Sequence, residues 1–565
     1  MEELPMSAED IKAGSRGLRG ALPIQLHEPT PDFDEEVKSI LKFHGIYQQH
    51  DRDIRGRNNR VYSFMVRSKL PGGRMNAQQY LVHDALAEEF SQGAMRLTTR
   101  QGIQFHGVIK GSLKPTLQAM NKALLTTLGA CGDVQRNVMC CPAPYGDPVR
   151  EELQNIATEI TNHFYPRSGA YHEIWLEDEN GEKTRQKFDE DATTEMLEPI
   201  YGKAYLPRKF KTAIAYPGDN CTDILSNDVG LVGLIAEDGV TVHGFNVFVG
   251  GGMGMTHNDE ATYPTVALPL GYVPREQIID VVEKIVLVQR DYGDRTDRKH
   301  ARMKYVVYEW GIDVFKAKVE EYLGYTIAES REMPPLEFDD HLGWHQQVDG
   351  NWFLGIFVEN GRVRDVADLR MRSALRALVQ KYHADVIITG QQNVLLNGFT
   401  TEQKAEVEAI LADYGVASLD QLSTVRRNSM ACPALPTCGL ALTEAERFLP
   451  SVIDEVETIA ANLGLSEDIF SIRMTGCPNG CARPYVADIG LVGRTVGKYN
   501  IYLGGNVEGT RINKLYRELV TSKELAQELE AVLKSYVAER QPNERVGDWA
   551  DRVGVENINT VATAA

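Results

Sequence analysis

Apolar and polar positions settle into a regular pattern from about residue 60 onward. An apolar strand is predicted over residues 61–67, Pro71-Gly72-Gly73 marks a turn, and a helical period runs over residues 75–90. Two short strands follow, over residues 95–98 and 103–108. The same series returns far downstream. Residues 352–358 read as a strand, Glu359-Asn360-Gly361 as a turn, residues 370–382 as a helix, and residues 385–389 and 394–396 as strands. One offset of 291 positions aligns residues 95–107 with 386–398 and keeps Thr98/Thr389, Gln101/Gln392 and Gly107/Gly398 identical.

A second repeat is stronger. Asp228-Val229-Gly230-Leu231-Val232-Gly233 matches Asp488-Ile489-Gly490-Leu491-Val492-Gly493. Phe245-Asn246-Val247-Phe248-Val249-Gly250-Gly251 then matches Tyr499-Asn500-Ile501-Tyr502-Leu503-Gly504-Gly505. Two matched blocks in one order describe a duplicated α+β unit whose halves are fused. A pseudo-twofold pair creates a central seam, a natural place for a large cofactor. Arg96, Arg100, Gln104 and His106 of the first copy align with Ile387, Gln391, Leu395 and Asn397 of the second. The first copy is cationic where the second is apolar or neutral, which suits anion binding in the first. Residues 1–60, with the Arg/Asp-rich stretch from His50 to Arg57, read as an extended arm that contacts a partner or another domain.

The chain has 565 residues, enough for three or four domains, and 43% hydrophobic residues, which suits a large core and excludes a disordered chain. No apolar run approaches membrane-spanning length, and residues 1–10 lack a secretory signal, so a cytoplasmic location is expected. A formal charge of −19 disfavours nonspecific nucleic-acid or anionic-membrane binding, which makes local cationic clusters the more informative feature. These are Arg67; Arg96 and Arg100; Arg136; Arg208-Lys209-Phe210-Lys211, where a strand period puts both lysines on one face; and Arg295, Arg298, Lys299 and Arg302, which recur at helical spacing. Together they suggest a pocket for a polyanionic cofactor and a small anion.

Four of the eight cysteines lie late in the chain: Cys432 and Cys438 in a C-x5-C run, then Cys477 and Cys481 in Thr-Gly-Cys-Pro-Asn-Gly-Cys. Four thiolates can ligate tetrahedral zinc or an iron–sulfur cluster; the wide C-x5-C spacing and the flanking prolines and glycines favour the cluster. Cys131 and the adjacent Cys140 and Cys141 are expected in the core, and Cys221 as a non-ligand relic of the duplicated Cys481 position. Gly250-Gly251-Gly252-Met253-Gly254 lacks the dinucleotide-binding spacing, and no phosphate-binding loop is present, so electrons are expected from another protein.

The C-x5-C and Thr-Gly-Cys-Pro-Asn-Gly-Cys motifs and the duplication resemble the sirohaem-dependent sulfite and nitrite reductases. So do the runs His44-Gly45-Ile46-Tyr47-Gln48-Gln49, 205–212, 295–305 and Asn428-Ser429-Met430-Ala431-Cys432. The likeness covers nearly the whole chain. Two places depart from the pattern: Arg302 stands where the family carries a lysine, and Pro433-Ala434-Leu435 is variable.

The resemblance implies an α+β fold of duplicated sulfite/nitrite reductase modules with cofactors at the central seam. Its domains would be a ferredoxin-like duplicated one from 61–129 and 345–419, a first sirohaem-binding domain at 130–344, and a second at 420–565 carrying the cluster cysteines. It implies a [4Fe–4S] cluster on Cys432, Cys438, Cys477 and Cys481, with Cys481 also bridging to the sirohaem iron. It implies substrate-facing cations at Arg67, Arg136, Lys209 and Lys211, and sirohaem contacts from Arg96, Arg100, Gln104, His106, Arg302 and Asn479. The implied activity is six-electron reduction of sulfite to sulfide in sulfate assimilation and cysteine biosynthesis, with electrons from an NADPH-oxidising flavoprotein subunit. A ferredoxin-dependent sulfite or nitrite reductase is the nearest alternative, and a zinc-stabilised scaffold without redox activity the remote one.

Overall fold

In a computed structural model, residues 6–54, 60–168, 170, 174–177, 183–186 and 198–558 are described. Four five-stranded sheets form two matched pairs. One small sheet orders Ile46–His50, Tyr62–Arg67, Ile103–Val108, Met95–Leu97 and Arg362–Val363; the other orders Gly343–Gln346, Trp352–Ile356, Val394–Phe399, Val386–Ile388 and Arg74–Met75. Each small sheet takes its last strand from the other half of the chain. Gly73 and Gly361 make those exchanges possible at φ +75° and +71°. A Cβ there would meet the Ile388 carbonyl at 2.4 Å and the Leu97 carbonyl at 2.6 Å, so glycine is required on both sides.

The two larger sheets match strand for strand. The first runs Leu268–Pro274, Val242–Val249, Val229–Ile235, Thr212–Ala215, Met139–Cys140; the second runs Lys514–Thr521, Lys498–Leu503, Ile489–Thr495, Ile472–Thr475, Met430–Ala431. In each the two central pairings are one parallel and one antiparallel, and the registers agree: Val229 pairs with Thr212 as Ile489 pairs with Ile472. The apolar runs of the central strands are buried on both faces, as expected for sheets covered by helices. Helices Pro148–His163 and Ile278–Tyr292 cover the first; Leu449–Leu463 and Leu525–Glu539 cover the second.

The halves meet at a buried charge cluster. Asp223 and Arg483 stand at equivalent positions 260 residues apart, both in the left-handed region (φ 47° and 54°), and their side chains pair directly. Arg473 joins Asp223 at 2.8 Å. Arg483 also donates 2.9 Å hydrogen bonds to the carbonyls of Thr99 and Gly390, themselves equivalent in the two half-domains.

Two expectations are corrected. The described part of residues 1–60 is not an extended arm: helices Ala8–Gly14, Leu22–Gln25 and Glu35–Leu41 form there, and Ile46–His50 is an edge strand of the first small sheet. Val37, Ile40, Leu41 and Phe43 are buried in the cores, so apolar burial fixes what a polar-rich composition concealed. Arg55, Gly56 and Arg57 lie outside the described residues. The Arg295–Arg302 cations do not share a helix face either. The segment is turns up to the helix at Met303–Trp310, and Arg295, Arg298, Lys299 and Arg302 pair separately with Glu9, Asp133, Asp259 and Asp228. Among the described residues no helix is long and apolar enough to cross a membrane.

Replacing Asp223 by alanine would leave two buried guanidinium groups without their carboxylate. We expect Asp223→Ala to lower unfolding stability by about 3–5 kcal/mol in urea denaturation. A loss below about 1 kcal/mol would show that the cluster does not hold the halves together.

Candidate active site

The seam between the first small sheet and the two large sheets gathers the chemistry. Cys432 follows the Met430–Ala431 strand, and its N–H donates to the Met474 carbonyl at 3.2 Å. Cys477 and Cys481 follow the neighbouring strand Ile472–Thr475. The loop from Cys438 closes over them as Leu442 N–H reaches the Gly476 carbonyl at 2.7 Å. Gly476 has no room for a side chain, because a Cβ would lie 2.5 Å from the Thr443 carbonyl. That close approach brings the Gly476 N–H to 3.4 Å from Cys432 Sγ, while Asn479 Nδ2 lies 3.5 Å from Cys477 Sγ. N–H groups aimed at sulfur stabilise thiolate charge.

All eight cysteines are free. The four late thiols lie within one another's electrostatic reach. Burial first, then Cys481 and Cys477, pushes the Cys432 thiol well above its usual range; burial and then Cys481 pushes Cys477 up to about 12. Four clustered thiols, of which Cys432, Cys438 and Cys477 resist ionisation, are the donor set of a metal centre, whose positive charge offsets the repulsion between thiolates. Cys432 and Cys477 are buried, Cys438 partly so, and Cys481 is exposed at the mouth, where Thr99 Oγ1 holds its carbonyl at 3.0 Å.

Cations crowd together nearby, with Lys209 and Arg96 in the field of Cys481. Arg67 donates to Cys131 Sγ at 3.1 Å and, from Nε, to the Gln104 amide oxygen at 3.0 Å. Arg136 reaches Tyr47 and the Gly132 carbonyl. Arg100 donates to the Asn137 carbonyl at 3.0 Å and to Asn227. Burial, then Arg483 and Arg136, pushes it down to about 9.

Lys209 and Lys211 flank Phe210, which is buried, just before the Thr212–Ala215 strand, so the expected one-face placement is realised. Burial pushes both ammonium groups well below their usual range. Arg136, Arg208 and Arg302 add to the shift at Lys209, and Arg100, Lys209 and Arg302 at Lys211. So many cations facing so few acids fit a polyanionic ligand.

The remaining residues split. Arg302 is tied to Asp228 at 2.9 Å yet still acts on both lysines. Arg96 is committed inside the protein, to Glu446 at 2.9 Å and to the Asn360 and Ala431 carbonyls, with Cys432 and Cys481 within its field. His106 sits 3.1 Å from Gln49 Oε1 and 3.4 Å from the Gln104 amide. Burial first, then Arg362, Arg96 and Arg67, keeps its imidazole neutral. Sequence reasoning missed Arg52, which donates to the Cys438 carbonyl at 3.1 Å from the N-terminal segment, and Arg483. The second was detectable as the duplicate of Asp223.

The chain matches the nitrite and sulphite reductase 4Fe-4S domain over residues 156–327 and 423–564, and the nitrite/sulfite reductase ferredoxin-like half domain over 57–123 and 345–414. It is similar to the sulfite reductase [NADPH] hemoprotein beta-component of Geobacillus thermodenitrificans, 45% identical over 98% of this chain and 96% of that one. The protein of the same name from Staphylococcus haemolyticus is 43% identical over 97% and 95%. A sulfite reductase [ferredoxin] of Synechococcus elongatus is 42% identical over 97% and 90%. In fold, the chain is similar to the Mycobacterium tuberculosis NirA protein, with a TM-score of 0.79, 24% identity, and 98% of each chain covered.

Replacing one clustered thiol tests the metal centre. We expect Cys438→Ser to lose iron and acid-labile sulfide while Cys140→Ala, on a buried strand, keeps both; equal iron in the two variants would contradict the assignment.

Proposed function

The chain belongs to the nitrite and sulfite reductase family, and from that premise we propose that it is the haem-carrying subunit of a sulfite reductase that makes hydrogen sulfide. Its cofactors are sirohaem and a [4Fe–4S] cluster. Cys432, Cys438, Cys477 and Cys481 would hold the cluster, with Cys481, at the exposed mouth, the thiol nearest the haem's place. When bound, the coupled pair supplies electrons in single steps, which a six-electron reduction requires. The observation that carries the reading is the convergence of Arg100, Arg136 and Arg302 on Lys209 and Lys211, with Cys481 in the field of Lys209.

These residues divide the work. Arg100, Gln104, His106 and Arg302 are assigned to the carboxylates of the macrocycle. Arg302, held by Asp228, presents a fixed charge rather than a mobile one. Arg96 and Asn479 brace the cysteine loops. Arg67, Arg136, Lys209 and Lys211 are assigned to sulfite, whose oxygens need cations in a macrocycle-lined pocket. The lysines are also the proton donors for S–O cleavage, because an ammonium group whose pKa is lowered by burial and neighbouring cations gives up its proton readily.

The electron donor is a separate protein. Two of the similar proteins are named for NADPH and one for ferredoxin. We assign an NADPH-oxidising flavoprotein subunit; ferredoxin is the second reading, and sulfite turnover with each purified donor separates them.

We expect Lys211→Met to retain both cofactors and to lower sulfide production with a chemical reductant by roughly 100-fold or more. A lysine donor with a lowered pKa is protonated below that pKa, so the wild-type rate falls as pH rises through it. That fall should be absent from the variant. Unchanged sulfide production would remove Lys211 from the mechanism.

A further inference from the structure

The duplication that places Cys432 and Cys481 also places two cysteines outside the active site. Cys141 follows the Met139–Cys140 strand, and its N–H donates to the Ile214 carbonyl at 3.2 Å, just as Cys432 binds Met474. Cys221 stands two residues before left-handed Asp223, as Cys481 stands two residues before left-handed Arg483. The expected relic therefore keeps the thiol of the duplicated ligand position, and its equivalence to Cys481 is carried by the shared offset to Asp223 and Arg483. The Cys477 position is Pro217 in the first copy, so a four-thiolate cluster cannot form there.

Two other groups complete a different set. Asp219 comes from the same loop as Cys221, and His341 from the segment entering the second small sheet. One ligand atom from each of Cys141, Asp219, Cys221 and His341 lies within 4.8 Å of all the others, and all four residues are buried. Asp219 Oδ2 is 3.2 Å from Cys141 Sγ and 3.0 Å from His341 Nε2, and Cys141 Sγ is 4.0 Å from His341 Nε2. Ligands at about 2.3 Å (sulfur) and about 2.0–2.2 Å (nitrogen, oxygen) around tetrahedral zinc are separated from one another by roughly 3.2–3.8 Å. The three separations among Cys141, Asp219 and His341 bracket that range, and Cys221 lies within 4.8 Å of each.

We propose that Cys141, Asp219, Cys221 and His341 form a closed structural zinc site. Two thiolates and an imidazole select zinc over magnesium or calcium, and a fourth protein ligand leaves no open position for catalysis. The surroundings orient the ligands. Asp219 Oδ1 accepts from the Cys221 N–H at 3.0 Å, which leaves Oδ2 for the metal. Asp339 Oδ2 lies 3.4 Å from His341 Nδ1, on the ring nitrogen facing away from the site. Gln154 and Gln391 hold the carbonyls of Cys141 and Cys221.

Bound by two thiolates, one carboxylate and a neutral imidazole, zinc leaves the site with one net negative charge. It ties the first large sheet to the entry of the second small sheet at the pseudo-twofold counterpart of the iron centre. The inference rests on this geometry and stands apart from the reaction assigned to the seam at Cys481.

The test uses the full-length protein with its cofactors, produced in zinc-supplemented medium and desalted. Elemental analysis is expected to give about one zinc per chain. Zinc-edge X-ray absorption should show two sulfur and two lighter ligands at the distances above. Iodoacetamide should leave Cys141 and Cys221 unlabelled until a strong chelator is added. Cys221→Ser and His341→Ala should each lose the zinc and keep iron and haem absorption. Wild-type protein without zinc, zinc retained by both variants, or a Cys141–Cys221 disulfide in a non-reducing peptide map would overturn the proposal. If the variants do not fold, the wild-type absorption shell and labelling pattern decide between these outcomes.

Discussion

The pairing of Asp223 with Arg483 is the contact on which the rest of the architecture depends. A duplicated chain needs something at its pseudo-axis, and here the two equivalent residues themselves meet as opposite charges. Arg473 shares the same carboxylate, and Arg483 spans to the equivalent carbonyls of Thr99 and Gly390. Four sheets are thereby fixed by one cluster that neither water nor salt can screen. Exchange of the short strands 74–75 and 362–363 between the small sheets adds backbone pairing to the same junction. Gln101 and Gln392 repeat the reciprocity, each donating to the other half at Ile388 and Leu97.

With that frame fixed, the two copies were free to diverge. In the first small sheet Arg96 reaches the cysteine loops, and Gln104 and His106 lie among Arg67, Arg96 and Arg362. In the second, the equivalents of Arg96 and Gln104 are Ile387 and Leu395, which pack with Phe353, Cys141 and Cys221 into a small apolar cluster. A charged pocket costs stability unless an anion enters it, whereas an apolar one contributes stability by itself. The candidate site draws on both halves: thiols from the second large sheet, cations from the first small and large sheets.

Much of this was legible in the sequence because it rests on repetition and spacing. The Asp228 and Asp488 blocks gave the large sheets, with their offset matching the observed strand register. The cysteine motif placed four thiols together, and Lys209-Phe210-Lys211 placed two lysines on one face. What stayed hidden depends on contacts between distant segments. The N-terminal helices are held by burial of scattered apolar residues such as Val37 and Phe43, which no strong periodicity announces. The cations at 295–302 are separated by turns, and each is neutralised by an acid elsewhere in the chain. Cys221 carries its equivalence to Cys481 in the sequence, but its neighbours Asp219 and His341 come together only in three dimensions.

The central claim is that a coupled sirohaem and [4Fe–4S] cluster sits at the seam between the two halves, with thiols from the second beside a cationic pocket from the first. The absorption spectrum of the anaerobically purified protein, with iron and acid-labile sulfide measured on the same sample, tests it most directly. The account predicts haem bands, about five iron atoms and about four sulfides per chain, the sum of one haem iron and one cubane. A colourless protein without iron or sulfide would contradict it, and the assignments of the four cysteines and the cationic residues would fall together.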